Sequence, residues 1–235
     1  MSTVVLVVAA GSGDRLAAGI PKALVPLRGR PMLQHTLESV AASRVADTVV
    51  LVVPNAARSR FQSLIEELPP SIAIEPLVPG GRTRQESVRL GLGAVPRSAD
   101  LVLCHDAARP LATPELFRRV VQGLRGMEGC VPVVPSPDTV KMVQAGRVVR
   151  TLPRAQVSLA QTPQAFVLST LLEAHARALR EGEEGTDDAM LVEAAGYAVA
   201  AVEGEVDNFK ITTPEDLRRA EQVLAERQPL EGVPP

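Results

Sequence analysis

Apolar residues in this chain fall into short unbroken runs, separated by stretches where apolar positions recur every three or four residues. The first run, Val4 to Ala10, is continuously apolar, the pattern of a parallel strand covered on both faces. Runs of this kind predict strands at Thr3–Ala9, Thr48–Val53, Ile72–Glu75, Leu101–His105, Cys130–Val134, Ser158–Gln161, Ala198–Val202 and Phe209–Thr212. The spacing between them predicts helices over Pro31–Ser43, Ala56–Leu68, Arg84–Gly93 and Leu168–Arg180. Further helices are marked by their starts. Thr113-Pro114-Glu115 and Thr213-Pro214-Glu215-Asp216 each supply a capping hydroxyl, a proline at the first helical position and acid in the first turn. Thr186-Asp187-Asp188 opens another. Strands alternating with helices predict βαβ units: an α/β chain, a single Rossmann-like domain whose mostly parallel, twisted sheet is flanked by helices. No repeat or linker divides it, so residues 1–226 read as one domain and 227–235 as a frayed tail.

One segment breaks the alternation. Val140 to Val143, a turn at Gln144-Ala145-Gly146, and Arg147 to Leu152 read as a β-hairpin bracketed by Pro137 and Pro153, an arm of about 136–156. A lone hairpin is marginal in water, so this one predicts a surface to lie on, with a second subunit the natural one.

Composition narrows the function classes. A net charge of -2 gives no basic field for nucleic acid, and 2% aromatics with no Trp offer few base-stacking platforms. No apolar run approaches the roughly 20 residues of a membrane helix, and the apolar N-terminus is too short and lacks the basic leader of a signal peptide. Cys104 and Cys130 sit inside apolar runs and read as buried thiols of a reducing, cytoplasmic compartment. Lysine occurs at only three positions, Lys22, Lys141 and Lys210, while arginine fills the other 22 of 25 basic positions. Lysine is a compact point charge where arginine is a wide planar fork. All three lysines stand beside turn or loop motifs, which makes each a site candidate.

The chemistry begins after the first run, in G-S-G-D-R-L-A-A-G-I-P-K (Gly11 to Lys22). Gly11, Ser12 and Gly13 can turn the backbone sharply with N–H groups inward, a cradle for an anion, and Arg15 and Lys22 add fixed cations. The dinucleotide fingerprint would need a third glycine where Leu16 stands, and the ATPase loop would need Gly-Lys-Ser/Thr where Pro21-Lys22-Ala23 stands. With both excluded, the loop resembles that of the sugar-phosphate pyrophosphorylases, which wraps a nucleoside triphosphate. His105-Asp106-Ala107-Ala108-Arg109-Pro110 follows another apolar run, so Asp106 is expected at the carboxyl end of a strand, in the crevice where such sheets bind ligands. Asp106 reads as a magnesium ligand (another divalent cation would serve) or as a partner for a substrate hydroxyl. Arg109 is a candidate phosphate clamp, and His105 reads as structural. Gly80-Gly81-Arg82, followed by Ser87, is a second glycine turn entering a helix, suited to reading a base edge. Asp207-Asn208-Phe209-Lys210 places Lys210 on a late strand, with Asp207 a second metal candidate.

Together G-S-G-D-R, P-K, G-G-x-x-R-x-x-S-V, H-D-A-A-R-P, D-T-V-K, T-P-Q, T-D-D and D-N-F-K-I-T span nearly the whole chain and closely resemble the 2-C-methyl-D-erythritol 4-phosphate cytidylyltransferases of the non-mevalonate isoprenoid pathway. The resemblance implies a nucleotidyltransferase domain, and a homodimer whose hairpin arm reaches the partner's site. It implies CTP and methylerythritol phosphate as substrates. Arg15, Lys22 and Lys210 would surround the triphosphate. Ala10, Gly81, Arg82 and Ser87 would lie at the cytosine, and Ala107 near the ribose. Asp106, Arg109, Thr186 and Lys210 would hold the acceptor, with Thr139 and Arg154 supplied by the other subunit. Arg82 stands where some relatives have an acidic residue, so its contact with the base would run through the backbone or be absent. Asp14 replaces a basic or polar residue, and Asp188 a common glutamate. A ribitol 5-phosphate or sugar-1-phosphate enzyme, and a non-catalytic CTP-binding protein, are the alternatives the motifs leave open.

Overall fold

The computed structural model describes residues 1–13, 16, 19–68 and 73–227. In chain order the elements are β1 (Thr3–Val8), a small hairpin of β2 (Pro26–Leu27) and β3 (Arg30–Pro31), α1 (Met32–Ser43), β4 (Thr48–Val53), α2 (Arg58–Glu67), β5 (Ala73–Ile74) and β6 (Val78–Pro79). Then come α3 (Arg84–Leu92), β7 (Leu101–Asp106), α4 (Pro114–Gly123), β8 (Gly129–Pro135), β9 (Lys141–Gln144), β10 (Arg147–Thr151), β11 (Ser158–Ala160) and β12 (Gln164–Val167). Helices α5 (Leu168–Glu181) and α6 (Asp188–Ala194), strand β13 (Val199–Glu203) and α7 (Pro214–Arg227) complete them.

The main sheet is mixed and mostly parallel, with β1 at its centre between β4 and β7. Beyond β4 lie β5 and β6, both parallel to it. Beyond β7 come β12, then β8, then β13; β12 is antiparallel to both its neighbours, and β13 is parallel to β8. Strand β11 continues the line of β12 along the far end of β8. The unbroken apolar runs are explained by burial on both faces. Val5 and Val7 of β1 pack with Leu33, Leu37, Phe61 and Phe117, while Val4 and Leu6 pack on the opposite side with Val88, Leu92 and Leu171. Helix α3 comes close to the sheet at Gly91, where an added Cβ would lie 2.7 Å from Val52 Cγ2 and 2.8 Å from Leu6 Cδ1.

The capped helices form as the sequence predicts. Thr113 accepts from the Leu116 N–H, Asp187 from Met190 and Thr213 from Asp216. Strands β9 and β10 make the expected hairpin, closed through Ala145 and Gly146, both at positive φ. All nine of its strand residues are exposed, including Met142, Val143, Val148 and Val149.

Three expectations are corrected. Phe209–Thr212 is not a strand: the Ile211 N–H goes to Ala108 O (2.9 Å), and Asp216 Oδ2 takes the N–H groups of Thr212 and Thr213 (2.7 and 2.8 Å), so the segment docks on the site loop and caps α7 instead. Gln164–Val167 is a strand that its short length and the preceding Pro163 conceal. Arg227 belongs to α7, with Nη1 donating to Leu111 O at 2.8 Å, and not to the tail; the rest of that tail lies outside the described residues, as does Ile72 of the third predicted strand.

Candidate active site

The parallel strands deliver their carboxyl ends to one edge of the sheet, and the site is built there. Ala9 continues from β1 by donating to Val52 O (2.8 Å), and the chain then turns through Gly11, Ser12 and Gly13. Lys22 returns to this loop, its N–H donating to Gly11 O (3.2 Å). Gly13 has φ 80° and an added Cβ there would meet Lys22 Cβ at 3.0 Å and its backbone at 3.1 Å, so only glycine lets the two halves of the motif close on each other. Arg15 and Asp14 lie outside the described residues.

Strand β7 ends at Asp106, buried, with its N–H donating to Thr162 Oγ1 (3.0 Å). Its carboxylate is held on both sides: Oδ1 accepts from Arg84 Nε (2.8 Å) and Oδ2 from Lys210 Nζ (2.7 Å). Burial opposes the charge, but Arg84 and Lys210 together hold the carboxyl well below the usual carboxylate range. Arg84 is itself largely withdrawn from solvent, yet Asp188 and Asp106 keep it firmly protonated. The Lys210 segment is pinned by Arg109, whose Nη1 donates to Asn208 O (2.7 Å), and by Asn208 Nδ2, which donates to Thr162 O (2.9 Å).

The second glycine turn is held by its own helix. Ser87 Oγ accepts from the Gly81 N–H (3.1 Å) and donates to Thr83 O (2.9 Å), while Glu86 accepts from the Arg82 N–H (2.7 Å). Arg82 leaves its side chain almost wholly in solvent, at 96% exposure. His105 is fully buried against Phe117, its Nδ1 3.2 Å from Thr162 Oγ1. Burial pulls its pKa down to about 4, outweighing the nearby Asp106, so it is an uncharged structural group at neutral pH.

These segments surround a cavity of about 540 Å³. Of the predicted residues, Ala10, Gly11, Ser12, Gly13, Lys22, Gly81, Arg82, Ser87, Asp106, Ala107 and Lys210 line it. Arg109, Thr139, Arg154, Thr186 and Asp207 do not. Thr139 and Arg154 sit exposed at the base of the arm, and exposed Thr186 packs its hydroxyl on Met190 Sδ. Asp207 faces α7, its carboxylate 3.7 Å from Arg227 Nη2. The sequence reading gave no role to Arg84, which lines the cavity and grips Asp106; the fixed arginine of G-G-x-x-R-x-x-S-V was the signal for it.

The family model for IspD, 2-C-methyl-D-erythritol 4-phosphate cytidylyltransferase, matches residues 3–226. The Streptomyces coelicolor protein of that name is 44% identical over 239 residues, covering 98% of this chain and 87% of that protein. The crystal structure of the Thermus thermophilus 2-C-methyl-D-erythritol 4-phosphate cytidylyltransferase superposes with a TM-score of 0.75 at 40% identity, covering 93% and 97% of the two chains. That of the 4-diphosphocytidyl-2C-methyl-D-erythritol synthase from Anaerococcus prevotii gives 0.84 at 32% identity, with 95% and 98% covered. This chain belongs to the IspD family of 2-C-methyl-D-erythritol 4-phosphate cytidylyltransferases.

Proposed function

We propose that the chain joins CTP to 2-C-methyl-D-erythritol 4-phosphate, giving 4-diphosphocytidyl-2-C-methyl-D-erythritol and pyrophosphate, a step toward isoprenoid precursors in the cytoplasm. The observation that carries this is the meeting of Lys22, Asp106 and Lys210, from three separate segments, at the glycine-loop cavity of a chain in this family.

An oxygen of the acceptor's phosphate forms a bond to the α-phosphorus of CTP, and the bond from that phosphorus to pyrophosphate breaks, with the electron pair leaving on pyrophosphate. A phosphate monoester, with its second pKa near 6, is largely deprotonated at neutral pH, so no general base is required. The buried, uncharged His105 agrees with that. Two anions must be brought together, and catalysis is positioning plus offset of charge. Lys22 and Arg15 stabilise the charge that builds on the transferring phosphate. The Gly11–Gly13 turn cradles the triphosphate. Ala10, Gly81, Arg82 and Ser87 hold the cytosine, with Ser87 keeping a lone pair for the base edge, and Ala107 lies by the ribose. Asp106, Arg109, Thr186 and Lys210 hold the acceptor.

No cluster of three or more His, Cys, Asp or Glu side chains among the described residues is arranged to hold a metal alone. That fits a magnesium ion (or another divalent cation) carried by the triphosphate, which needs only one or two protein carboxylates. Asp106 at the cavity wall would be that carboxylate, whereas Asp207 faces α7 away from the cavity and is not placed to share the ion. Bound there, the ion would neutralise phosphate charge. Thr139 and Arg154 complete the acceptor site from the arm of a second copy, which also covers the exposed valines of β9 and β10. Residues 1–227 form the catalytic unit.

The test is pyrophosphate release by the purified protein with magnesium and CTP, offering methylerythritol phosphate and ribitol 5-phosphate in parallel, with ATP, GTP and UTP as controls. Release with CTP and methylerythritol phosphate alone is the expected result. Release with ribitol phosphate instead moves the acceptor assignment, and CTP binding without release with either acceptor overturns the enzymatic reading.

A further inference from the structure

A row of charged and polar side chains runs back from the cavity into the core, and the chemistry above uses only its first two members. Lys210 Nζ meets Asp106 Oδ2 (2.7 Å), Asp106 Oδ1 meets Arg84 Nε (2.8 Å), Arg84 Nη2 lies 2.9 Å from Asp188 Oδ2, and Asp188 Oδ1 lies 3.1 Å from His175 Nε2. The members come from the loop before α7, the end of β7, the first turn of α3, the start of α6 and the middle of α5. Side-chain exposure is 40% at Lys210, 9% at Asp106 and 23% at Arg84, but only 1% at Asp188 and 2% at His175, so the row has a solvent end in the cavity and a closed end in the core.

Burying a carboxylate and an imidazole at the closed end is costly compared with filling the same space with apolar residues. Their arrangement points to a task. Arg84 presents its planar fork to two carboxylates at once, one at the cavity and one in the core, a geometry that lysine cannot match. Held by Asp188 from behind, Arg84 is not free to follow Asp106 away from the wall. Its neighbour Gln85 anchors the same turn of α3, donating to Glu183 O and accepting from the Gly185 N–H, both at 3.0 Å.

We infer that Arg84 is a positioning residue for the acceptor half of the reaction: anchored by Asp188 and His175, it fixes the Asp106 carboxylate and, through it, the Lys210 ammonium at the cavity wall. The inference rests on the function proposed above, in which Asp106 and Lys210 meet the acceptor. Asp188 and His175 do not line the cavity, so changing them probes the anchoring without touching a substrate.

The experiment measures steady-state kinetics for both substrates, and CTP affinity by calorimetric titration without divalent cation, so that Asp106 has no metal-borne contact with the nucleotide, in Asp188→Asn, His175→Leu and His175→Gln beside the unsubstituted protein. Asp188→Asn is expected to lower kcat/KM for the acceptor about 10- to 100-fold, the range for loss of a supporting partner, while CTP affinity stays within about twofold. His175→Leu moves the same way. His175→Gln, which keeps a nitrogen donor near the Nε2 position, recovers most of the loss. A role in folding alone would lower both substrates' parameters in step with the folded fraction. Equal losses for CTP and acceptor, or acceptor kinetics of the unsubstituted protein in folded Asp188→Asn, overturn the inference. If Asp188→Asn does not fold, the two His175 variants decide: equal kinetics in both overturn it. Absence of turnover in the unsubstituted protein overturns the function reading and this inference with it, whereas intact turnover in the variants overturns the inference alone.

Discussion

Asp106→Asn is the most informative single change, because the structure says where its effects fall. The amide keeps the shape of the carboxylate. One atom can still accept from Arg84 Nε, but the other, if it is the amide nitrogen, faces Lys210 Nζ as donor against donor. Arg84 retains Asp188, so no cation is stranded in the core. The Lys210 side is 40% exposed and contributes little, while the Arg84 side is a part-buried charged hydrogen bond. The expected destabilisation is about 1–3 kcal/mol, below the cost of a fully broken buried pair. For a chain of this size that lowers Tm by about 2–12 °C. The pH dependence gives a second check. Asp106 has a depressed pKa, so the unfolded chain binds its proton first, and the stabilisation is fully present above the unfolded value of about 4. It is lost as pH falls through the folded value, so the stability difference between the two proteins narrows below about pH 4, by at most about 1.4 kcal/mol per pH unit, and the Tm gap narrows with it. Thermal unfolding of both proteins from neutral pH to about pH 3 measures this. Equal Tm at neutral pH, or a gap that widens in acid, refutes the argument.

Lys22→Ala should cut turnover on the order of 10³-fold, the scale for a charge-stabilising donor, with Tm little changed; pyrophosphate release near the unsubstituted rate removes Lys22 from the chemistry. Gly13→Ala forces a side chain onto φ 80° and against the Lys22 backbone, so it should cost about 1–2 kcal/mol by denaturant unfolding and lower kcat as the loop and Lys22 part. Lys210→Arg keeps the charge but should lose activity by about 10-fold or more with the fold intact; full activity would show that only the charge matters there. Val143→Asp with Val148→Asp places like charges directly opposite on the exposed arm, and sedimentation should then find a monomer with little acceptor turnover; an intact dimer counts against assembly through the arm.

Much of this was written plainly in the chain. Strands β1, β4 and β7 are covered on both faces, so their sequences are apolar without interruption and cannot be mistaken for amphipathic helices. The helices after Thr113 and Thr213 carry their start signals in three residues. The glycine loop, the second glycine turn and Asp106 meet at one cavity because they follow β1, β6 and β7, whose ends the parallel topology gathers at one edge, whereas the T-D-D threonine and the arm residues lie outside it. What escaped notice depends on partners far away in the chain. Phe209–Thr212 looks like a strand, yet its N–H groups go to Ala108 O and Asp216. Arg84 is 22 residues from Asp106, and nothing local shows that the two touch. Asp188 reads as an acid in a helix start, and only the packing of α5 against it reveals a buried carboxylate in contact with His175.

The scarcity of lysine acquires a physical reason at Lys210. An ammonium carries three donors around a point, and Asp106 uses one of them at 2.7 Å. The others can meet a phosphate without releasing the carboxylate, so the same cation can be fixed by the protein and shared with an incoming anion. A guanidinium in that place would form its paired contacts with Asp106 in one plane and direct its remaining donors elsewhere. Arg84 stands in the opposite situation. It must join two carboxylates across the back of the wall, and there the wide fork is what reaches both. The side facing the cavity therefore calls for lysine and the side facing the core for arginine, and the ion-pair row places each where its geometry serves. Lys22, closed against the glycine turn by the Gly13 contact, is likewise a cation set at a cavity wall by its backbone. Lys141 bonds Thr151 across the arm hairpin, away from the cavity, so the same argument does not reach it.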